Sequence, residues 1–345
     1  MAHYLITGHT GFKGSWLSLL LKSRGHEVSG LALEPAADSL FSRANIAADM
    51  VHDLRVDIRN RNATVEAFKQ VAPDYVIHLA AQALVREGYR KPVETYETNV
   101  NGTMHVLEAS DRTDSVKSQL IVTTDKVYRN DGHSRPYVES DPLGGKDPYS
   151  ASKAMADILA QEWLGSGRSK PGAIARAGNV IGAGDSSKER LIPDIIRASR
   201  SGEPLIVRYP QAVRPWQHVL DCLNGYLMLL DNVDGAGIDR VLNFGPGPGM
   251  MLRVSEVIDL SLDVLRASKL EVVLEGSDFT EDLLLVLDSA RASQLLGWSN
   301  GYSTETAIRD ALAEGTTGGN WNAKEHLLLE IGSFDEAASP GRTRS

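Results

Sequence analysis

Three glycines near the start of the chain constrain its fold more than any other feature. Gly8, Gly11 and Gly14 are spaced three residues apart. They follow the apolar run His3–Ile6 and precede Phe12–Ser23, where apolar residues recur at helical spacing. A glycine-rich turn between a strand and a helix lets a ligand approach the backbone amides of the helix N-terminus, where phosphate binds well. The loop therefore predicts a dinucleotide site, with a purely structural turn as the alternative.

The first 130 residues alternate between apolar runs and helical patterns. Because the runs lack polar alternation and are separated by helices, they are typical of a parallel sheet covered on both faces. We therefore predict an α/β fold, a Rossmann-type doubly wound parallel sheet with a smaller C-terminal substrate-binding lobe. The further strands are predicted at Glu27–Leu33, Val51–Asp57, Tyr75–Ala80 and Gln119–Thr124, and the further helices at Asn62–Gln70 and Val93–Ala109.

The second half of the chain is less regular. Residues 178–215 are rich in Gly, Pro, Asp and Arg and predict loops and a capping lobe. Elsewhere we predict helices at Pro148–Leu164, Val219–Leu230, Ser255–Ala267 and Ser303–Ala313, and strands at Ala173–Arg176, Leu270–Leu274 and Leu283–Leu287. The predicted domains are an NAD-binding Rossmann domain over 1–178, to which residues 215–250 return, a mainly substrate-binding lobe over 179–330 and a disordered tail over 331–345.

Composition excludes several classes of function. The chain has 345 residues, 42% hydrophobic and 23% charged, which is ordinary for a soluble globular protein. A net charge of −9 without a basic cluster argues against nucleic acid or an anionic membrane as partner. A single cysteine, Cys222, excludes a disulfide framework and a cysteine-based zinc site, and we predict no metal. The start, MAHYLITGHTG, has no leader pattern, and we expect a cytoplasmic protein.

Acidic residues follow two of the predicted strands, and the first of them favours NAD over NADP. Glu34 ends the second strand, where a carboxylate accepts hydrogen bonds from the adenosine ribose and repels a 2′-phosphate. Asp57 and Ile58 end the third strand and are placed to meet the adenine. Each acid has a solvated loop residue as its alternative interpretation. Within the glycine loop the further candidate contacts of the cofactor are Thr10, Phe12 and Lys13, the last within reach of a phosphate.

A tyrosine and a lysine stand four residues apart at the start of a predicted helix. At that spacing Tyr149 and Lys153 share one helix face, and we expect the ammonium to lower the pKa of the phenol. A phenolate is a competent base toward an alcohol. Thr124 ends the preceding strand, at the sheet edge where ligands of such folds bind. Tyr149 and Lys153 are therefore candidate catalytic and cofactor-binding residues, with Thr124 as a catalytic partner.

Taken together, these motifs resemble the extended short-chain dehydrogenase/reductase family. They are the glycine loop, Leu79-Ala80-Ala81, Thr98-Asn99-Val100, Tyr149-x-x-x-Lys153 and Arg176-x-Gly178-Asn179-Val180, in the family's order. The segments Thr7–Gly14, Thr124–Lys126, Leu143–Lys153, Arg190–Asp194 and Arg214–Val219 resemble its CDP-glucose 4,6-dehydratase branch. The resemblance implies tightly bound NAD, contacted also by Leu79, Ala80, Ala81 and Asn99. It further implies a nucleotide-sugar substrate and a homodimer formed through the helices at 93–109 and 149–164.

The pair after Thr124 bears on the reaction. A dehydratase needs an acid and a base beyond those that oxidise C4 of the sugar, and Asp125 and Lys126 are two titratable groups in that place. By resemblance, Tyr149 takes the proton of the 4-hydroxyl, Lys126 is the candidate base at C5, and Asp125 protonates the leaving 6-hydroxyl. The alternatives are a nucleotide-sugar 4-epimerase, a dehydratase for another nucleotide-hexose, and an NAD-sensing protein without chemistry.

Four polar residues are candidate substrate contacts. By resemblance Gln82 faces the nicotinamide or the sugar, and the diphosphate is assigned to Asn179, Arg190 and Arg214 because guanidinium groups bind phosphate bidentately. His78 and His218 are interpreted as core residues. The segment 129–138, Ser186 and Tyr209 depart from the CDP-glucose pattern, which leaves the base and the hexose open.

Overall fold

The computed structural model describes residues 1–132, 135–233, 240–247, 250–267, 270–276, 285–317 and 321–338. Within them a seven-stranded, entirely parallel sheet has the order β11-β6-β5-β4-β1-β2-β3. Its strands are β1 (His3–Thr7), β2 (Glu27–Ala32), β3 (His52–Arg55), β4 (Tyr75–His78), β5 (Ser118–Val122), β6 (Gly172–Ala177) and β11 (Val241–Phe244). The shorter strands are β7 (Val180–Ile181), β8 (Leu205–Val207), β9 (Val213–Pro215), β10 (Gln217–His218), β12 (Met251–Arg253) and β13 (Val272–Leu274).

Helices cover both faces of the sheet. On β1, Leu5 packs with Phe68 and Val106 on one face, whereas Ile6 packs with Leu17 and Leu223 on the other. This alternation buries every residue of the strand beyond His3, as the unbroken apolar runs predict. The helices are α1 (Phe12–Ser23), α2 (Leu40–Arg43), α3 (Arg61–Val71), α4 (Val85–Arg90), α5 (Pro92–Tyr96), α6 (Gly102–Asp111), α7 (Pro148–Gly165), α8 (Leu191–Ser201), α9 (Val219–Asp231), α10 (Val254–Val264), α11 (Ala290–Leu296), α12 (Thr304–Ala311), α13 (Ala313–Thr316) and α14 (Ala323–Ala338).

The predicted doubly wound fold is confirmed. Strand β1 lies between β2 and β4, so the chain winds outward in opposite directions on its two sides. The loops after β1 and β4 therefore separate at the carboxyl edge of the sheet and leave a crevice, the place where ligands bind in open parallel sheets. Across the described ranges, no helix has both the length and the apolar character needed to cross a membrane.

The lobe over the sheet edge contains more regular structure than we predicted. Residues 191–201, which we expected to be loop, form helix α8, with Ile192, Ile195 and Ile196 buried on one side. The composition misled because Pro193 lies in the first turn, where the missing N–H costs nothing, and because Arg and Ser occupy the exposed side. The helix packs against α10 and strand β8 of the lobe.

The predicted disordered tail over 331–345 is wrong up to residue 338. Helix α14 runs to Ala338, and its Ile331 and Phe334 are buried against the core under α1. An ion pair of 2.8 Å between Arg24 and Asp335 adds to this docking. Residues 339–345 lie outside the described residues. Positions 283 and 284 of the predicted strand 283–287 also lie outside them. Of the rest of that predicted strand, Leu287 makes an isolated β-bridge to Tyr137.

Candidate active site

The glycine loop closes over the end of β1 so tightly that side chains would not fit. Gly8 has a φ of +78°, and a Cβ there would lie 2.7 Å from the amide nitrogen of Ala80. A Cβ at Gly14 would lie 2.3 Å from the carbonyl oxygen of Gly8 and 2.6 Å from the Cα of His9. The backbone thus forms a bare cradle at the N-terminus of α1, which fits the pyrophosphate of a dinucleotide.

A cleft of about 850 Å³ extends from this cradle across the carboxyl edge of the sheet. The structure brings together in its walls all the residues predicted for the site except Glu34 and Asn99. Those that line it are Gly8, Thr10, Gly11, Phe12, Lys13, Gly14, Asp57, Ile58, Leu79, Ala80, Ala81, Gln82, Thr124, Asp125, Lys126, Tyr149, Lys153, Asn179, Arg190 and Arg214.

Glu34 is directed away from the cleft. Its side chain is 80% exposed, and its Oε2 accepts a 3.0 Å bond from Nε of Arg55 on the neighbouring strand β3. Arg55 is held in turn by Asp53, whose Oδ1 also lies 2.7 Å from Nε2 of the buried His9. The carboxylate of Glu34 pairs with this guanidinium because the register of β2 and β3 brings the two side chains together. The ribose contact of Glu34 stays a prediction.

Asn99 is buried one layer behind the cleft. Its side-chain amide donates to the carbonyl oxygen of Gln82 (3.0 Å) and to Oγ of Ser152 (2.9 Å), and its oxygen accepts from the Gln82 amide (2.8 Å). It therefore ties the loop after β4 to helix α7, and its predicted contact with the cofactor stays a prediction. A π-turn over Glu97–Asn101 places it there, a feature often found at functional sites.

Tyr149 is fixed in the first turn of α7. Asp147 caps the helix, and its Oδ1 accepts from the amides of Tyr149 (2.9 Å) and Ser150 (3.0 Å). The phenol and the side chain of Thr124 are neighbours in the cleft wall. Burial raises the pKa of Tyr149 to about 12, so the neutral phenol predominates in the protein described here.

Lys153 lies below the tyrosine on the same helix face. Its Nζ donates to the carbonyl oxygen of Val122 at the end of β5 (2.9 Å). Burial, and then the nearby charge of Lys13, lower the pKa of Lys153 to about 8. Our expectation that this ammonium lowers the pKa of Tyr149 is wrong for this structure, because burial dominates and Lys153 is directed at a backbone oxygen.

Asp125 and Lys126 form a short 3₁₀ turn directly after Thr124. The Thr124 hydroxyl donates to Oδ1 of Asp125 (2.8 Å) and accepts from the Lys126 amide (3.4 Å). Asp125 is only 4% exposed, and burial raises the pKa of its carboxyl against the opposing charge of Lys126. The turn thus presents a carboxyl whose pKa is raised and an amine, both lining the cleft together with Thr124 and Tyr149.

The two histidines interpreted as core residues are confirmed as such. His78 lies between the hydroxyls of Thr7 (2.7 Å) and Thr103 (2.9 Å), and burial lowers its pKa to about 3. His218 is fully buried, and its Nε2 lies 2.9 Å from Oδ2 of Asp310. Neither lines the cleft.

Sequence reasoning missed several charged residues of the cleft wall, among them one on α4 and two in the lobe. Arg86 lies on α4, Glu189 precedes α8, and Arg208 follows β8. Arg208 is 3.3 Å from the carboxylate of Glu275. The one available signal was the position of Arg86, four residues after Gln82 at the same sheet edge. Arg208 and Glu189 carry no local pattern and reach the cleft only through the folding of the lobe.

Known proteins share this sequence and this architecture. Residues 4–245 match the NAD dependent epimerase/dehydratase family. A CDP-glucose 4,6-dehydratase from Salmonella typhimurium is 39% identical over 317 residues, which cover 88% of each chain. A UDP-glucose 4-epimerase from Halalkalibacterium halodurans is 28% identical over 338 residues, which cover 93% of this chain and 96% of the epimerase. The crystal structure of dTDP-glucose 4,6-dehydratase from Bacillus anthracis in complex with NAD has a TM-score of 0.77 at 23% identity, covering 95% of this chain and 100% of that one.

Proposed function

This chain belongs to the NAD dependent epimerase/dehydratase family, and from that premise we propose that it is a hydro-lyase, a nucleotide-sugar 4,6-dehydratase acting on CDP-glucose. The observation that carries the proposal is the turn of Asp125 and Lys126 beside Thr124 and Tyr149. Removing water across C5 and C6 requires one proton to be taken and one to be given, beyond the proton of the 4-hydroxyl. The similarity to the Salmonella enzyme supports CDP-glucose.

The cradle of Gly8, Gly11 and Gly14 fits NAD because only bare backbone lies where the pyrophosphate would approach the helix N-terminus. Lys13, Asp57 and Ile58 in the cleft wall would hold the rest of the adenosine half. Bound NAD would supply reversible hydride transfer, away from C4 and back to C6, so the reaction would have no net change of oxidation state.

In this proposal the chain's own residues move the protons. Burial keeps Tyr149 neutral in the structure, so its own proton must leave first, which the positive charge of bound NAD would favour. The resulting phenolate, beside Thr124, takes the proton from the 4-hydroxyl. Lys126 takes the proton from C5, the electron pair of that bond forms the C5–C6 double bond, and the C6–oxygen bond breaks. Asp125, whose raised pKa keeps a proton available, gives it to the departing hydroxyl, which leaves as water. Asn179, Arg190 and Arg214 bind the diphosphate.

Mass spectrometry of a panel of CDP-, dTDP-, UDP- and GDP-hexoses incubated with the NAD-loaded protein tests the proposal. We expect CDP-glucose to lose one water and to yield a 4-keto-6-deoxy sugar. A panel without any loss of water would contradict the dehydratase. Conversion of a sugar into its 4-epimer would favour the epimerase, to which the Halalkalibacterium relative also points. Unchanged sugars with NAD still bound would favour a sensing protein.

Lys126→Ala tests the assignment within the turn. We expect it to exchange no solvent deuterium at C5 and to lower the dehydration rate at least about 100-fold, because the base is missing. Oxidation at C4 should persist, whereas the matched variant Tyr149→Phe should lose that step as well. Dehydration by Lys126→Ala at the wild-type rate would show that this lysine is not the base.

The homodimer and the cytoplasmic location are part of this proposal. Val93 on α5 and Met155 and Ile158 on α7 are 68%, 49% and 54% exposed, and these helices pack side by side. Apolar side chains exposed together on neighbouring helices support an interface with a second copy. Light scattering of wild type and Ile158→Asp checks this: the wild type should have the mass of two chains and the variant that of one.

A further inference from the structure

Arg86 and Glu189 join the two sides of the cleft. Arg86 lies on α4, which follows the sheet strand β4, and Glu189 lies in the loop before α8 of the lobe. Nη1 of Arg86 is 3.4 Å from Oε1 of Glu189, and both side chains line the cleft. They are 28% and 30% exposed, so the pair is reached by solvent and by a ligand entering the cleft. An ion pair of this exposure contributes little to stability.

Helix α4, which carries Arg86, packs against the first turn of α7. A Cβ at Gly88 would lie 3.2 Å from the amide nitrogen of Tyr149 and 3.5 Å from its Cβ. The helix therefore packs directly on the first turn of α7, with no side chain between them. Arg86 is two residues before Gly88, so its guanidinium extends from a backbone that is anchored on the candidate catalytic tyrosine.

Glu189 has a costly backbone conformation. Its φ is +61°, in the left-handed region that residues with a Cβ seldom adopt. Such a residue persists only when its surroundings hold it, and such positions concentrate at ligand-binding sites. Its carboxylate is held by Arg86 and, at 3.9 Å, by Arg90. Of these two arginines, only Arg86 lines the cleft.

We propose that Arg86 is a substrate-binding residue and that its ion pair with Glu189 is an exchangeable latch. Arg86 leaves the carboxylate to bind the substrate's diphosphate, with Glu189 as the competing intramolecular anion. The inference rests on the proposed nucleotide-sugar substrate, since the diphosphate is the only anionic group of a nucleotide carrying a neutral hexose. A guanidinium binds either oxyanion by the same bidentate, charge-assisted hydrogen bonds, so carboxylate and phosphate can replace each other.

Calorimetric titration of the NAD-loaded protein with CDP tests the latch without turnover. Arg86→Gln should weaken CDP binding about tenfold, because one charge-assisted contact is lost. Glu189→Gln should strengthen it about threefold to tenfold, because the competitor is gone. In Arg86→Gln/Glu189→Gln the second change should have no further effect, since Glu189 acts only through Arg86. The matched control is Arg90→Gln, which contacts Glu189 outside the cleft and should change binding less than about twofold.

The outcomes separate the latch from the proposed function. Wild-type affinity in Arg86→Gln would overturn the latch alone, as would a Glu189→Gln variant that binds CDP more weakly, since Glu189 would then itself be a substrate contact. If Arg86→Gln and Arg90→Gln weakened CDP binding equally, the loss of any positive charge near the cleft would explain both effects. That outcome would also overturn the latch. Failure of the wild type to bind CDP, dTDP, UDP or GDP would overturn the proposed function together with the latch. Unchanged melting temperatures would show that each variant is folded.

Discussion

Two buried aspartates, one in the cleft and one under the C-terminal helix, have pKa values that are shifted in opposite directions. Asp125 is 4% exposed and Asp310 is 7% exposed. Burial raises the pKa of the Asp125 carboxyl, and its neighbours do not offset this. Burial also acts on Asp310, but hydrogen bonds from His218 and His326 outweigh it and hold the pKa of that carboxyl well below its usual range.

The number of donors around each carboxyl explains the difference. Oδ1 of Asp125 accepts a hydrogen bond of 2.8 Å from the hydroxyl of Thr124, and the carboxyl lies near the partly buried Lys126. Asp310 accepts the Ala183 amide (3.0 Å) and pairs with Nε2 of His218 (2.9 Å) and of His326 (2.7 Å). A buried charge with a full set of donors holds a structure together, whereas one with few donors gives and takes protons easily. We therefore expect Asp125 to serve the reaction and Asp310 to stabilise the fold.

Asp125→Asn should have the largest effect, and on activity alone. The amide keeps the shape of a protonated carboxyl but cannot give its proton away, so dehydration should fall by about 10²–10⁴-fold. The free energy of unfolding should change by less than about 1 kcal/mol, because the amide has the shape of the carboxyl and burial disfavours the charged form of Asp125. Product analysis and urea denaturation measure the two effects. A strongly destabilised variant would mean that Asp125 is ionised and structural after all.

Asp310→Asn should show the opposite pattern. The free energy of unfolding should fall by about 2–3 kcal/mol at pH 6, because a carboxylate with two imidazole partners is replaced by a neutral acceptor. The rate of dehydration by the folded variant should be unchanged, since Asp310 lies outside the cleft wall. Urea denaturation and steady-state kinetics check both. If Asp310→Asn lowered the dehydration rate and left the free energy of unfolding unchanged, Asp310 would serve the reaction and not the fold.

The same distinction explains which parts of the molecule were predictable from the sequence. The glycine loop, the turn at 124–126 and the pair Tyr149 and Lys153 are contiguous patterns whose geometry follows from one strand end or one helix turn. They all line one cleft because parallel strands end at a common edge. Local periodicity also sufficed for the helices on the sheet.

What could not be predicted depends on partners far along the chain. Asp310 meets a histidine 92 residues earlier, and helix α14 docks through a core contributed by α1. The pairing of Glu34 with Arg55 depends on the register of β2 and β3, which neither strand shows by itself. The pKa of Tyr149 was misjudged because spacing shows which residues are neighbours but not how deeply they are buried.

The pH dependence of the Asp310 contribution is the smallest effect and the sharpest check of its origin. Because the pKa of Asp310 is lowered in the folded state, its stabilisation is present above the unfolded pKa, about 3.9, and is lost as the pH falls below it. Burial lowers the pKa of His326, but the hydrogen bond and the negative charge of Asp310, with the charge of Glu330, together outweigh burial and raise that pKa. The contribution of His326 is therefore full below about 6.5 and is lost as the pH rises through the raised pKa. The difference in free energy of unfolding between wild type and Asp310→Asn should therefore be greatest between about pH 4 and 6.5 and narrow on both sides. In a His326→Gln background, the same difference in free energy of unfolding should no longer decrease as the pH rises above about 6.5. It should still decrease as the pH falls below about 4. A difference independent of pH from 3 to 8 would mean that packing, and not the buried charge, anchors α14.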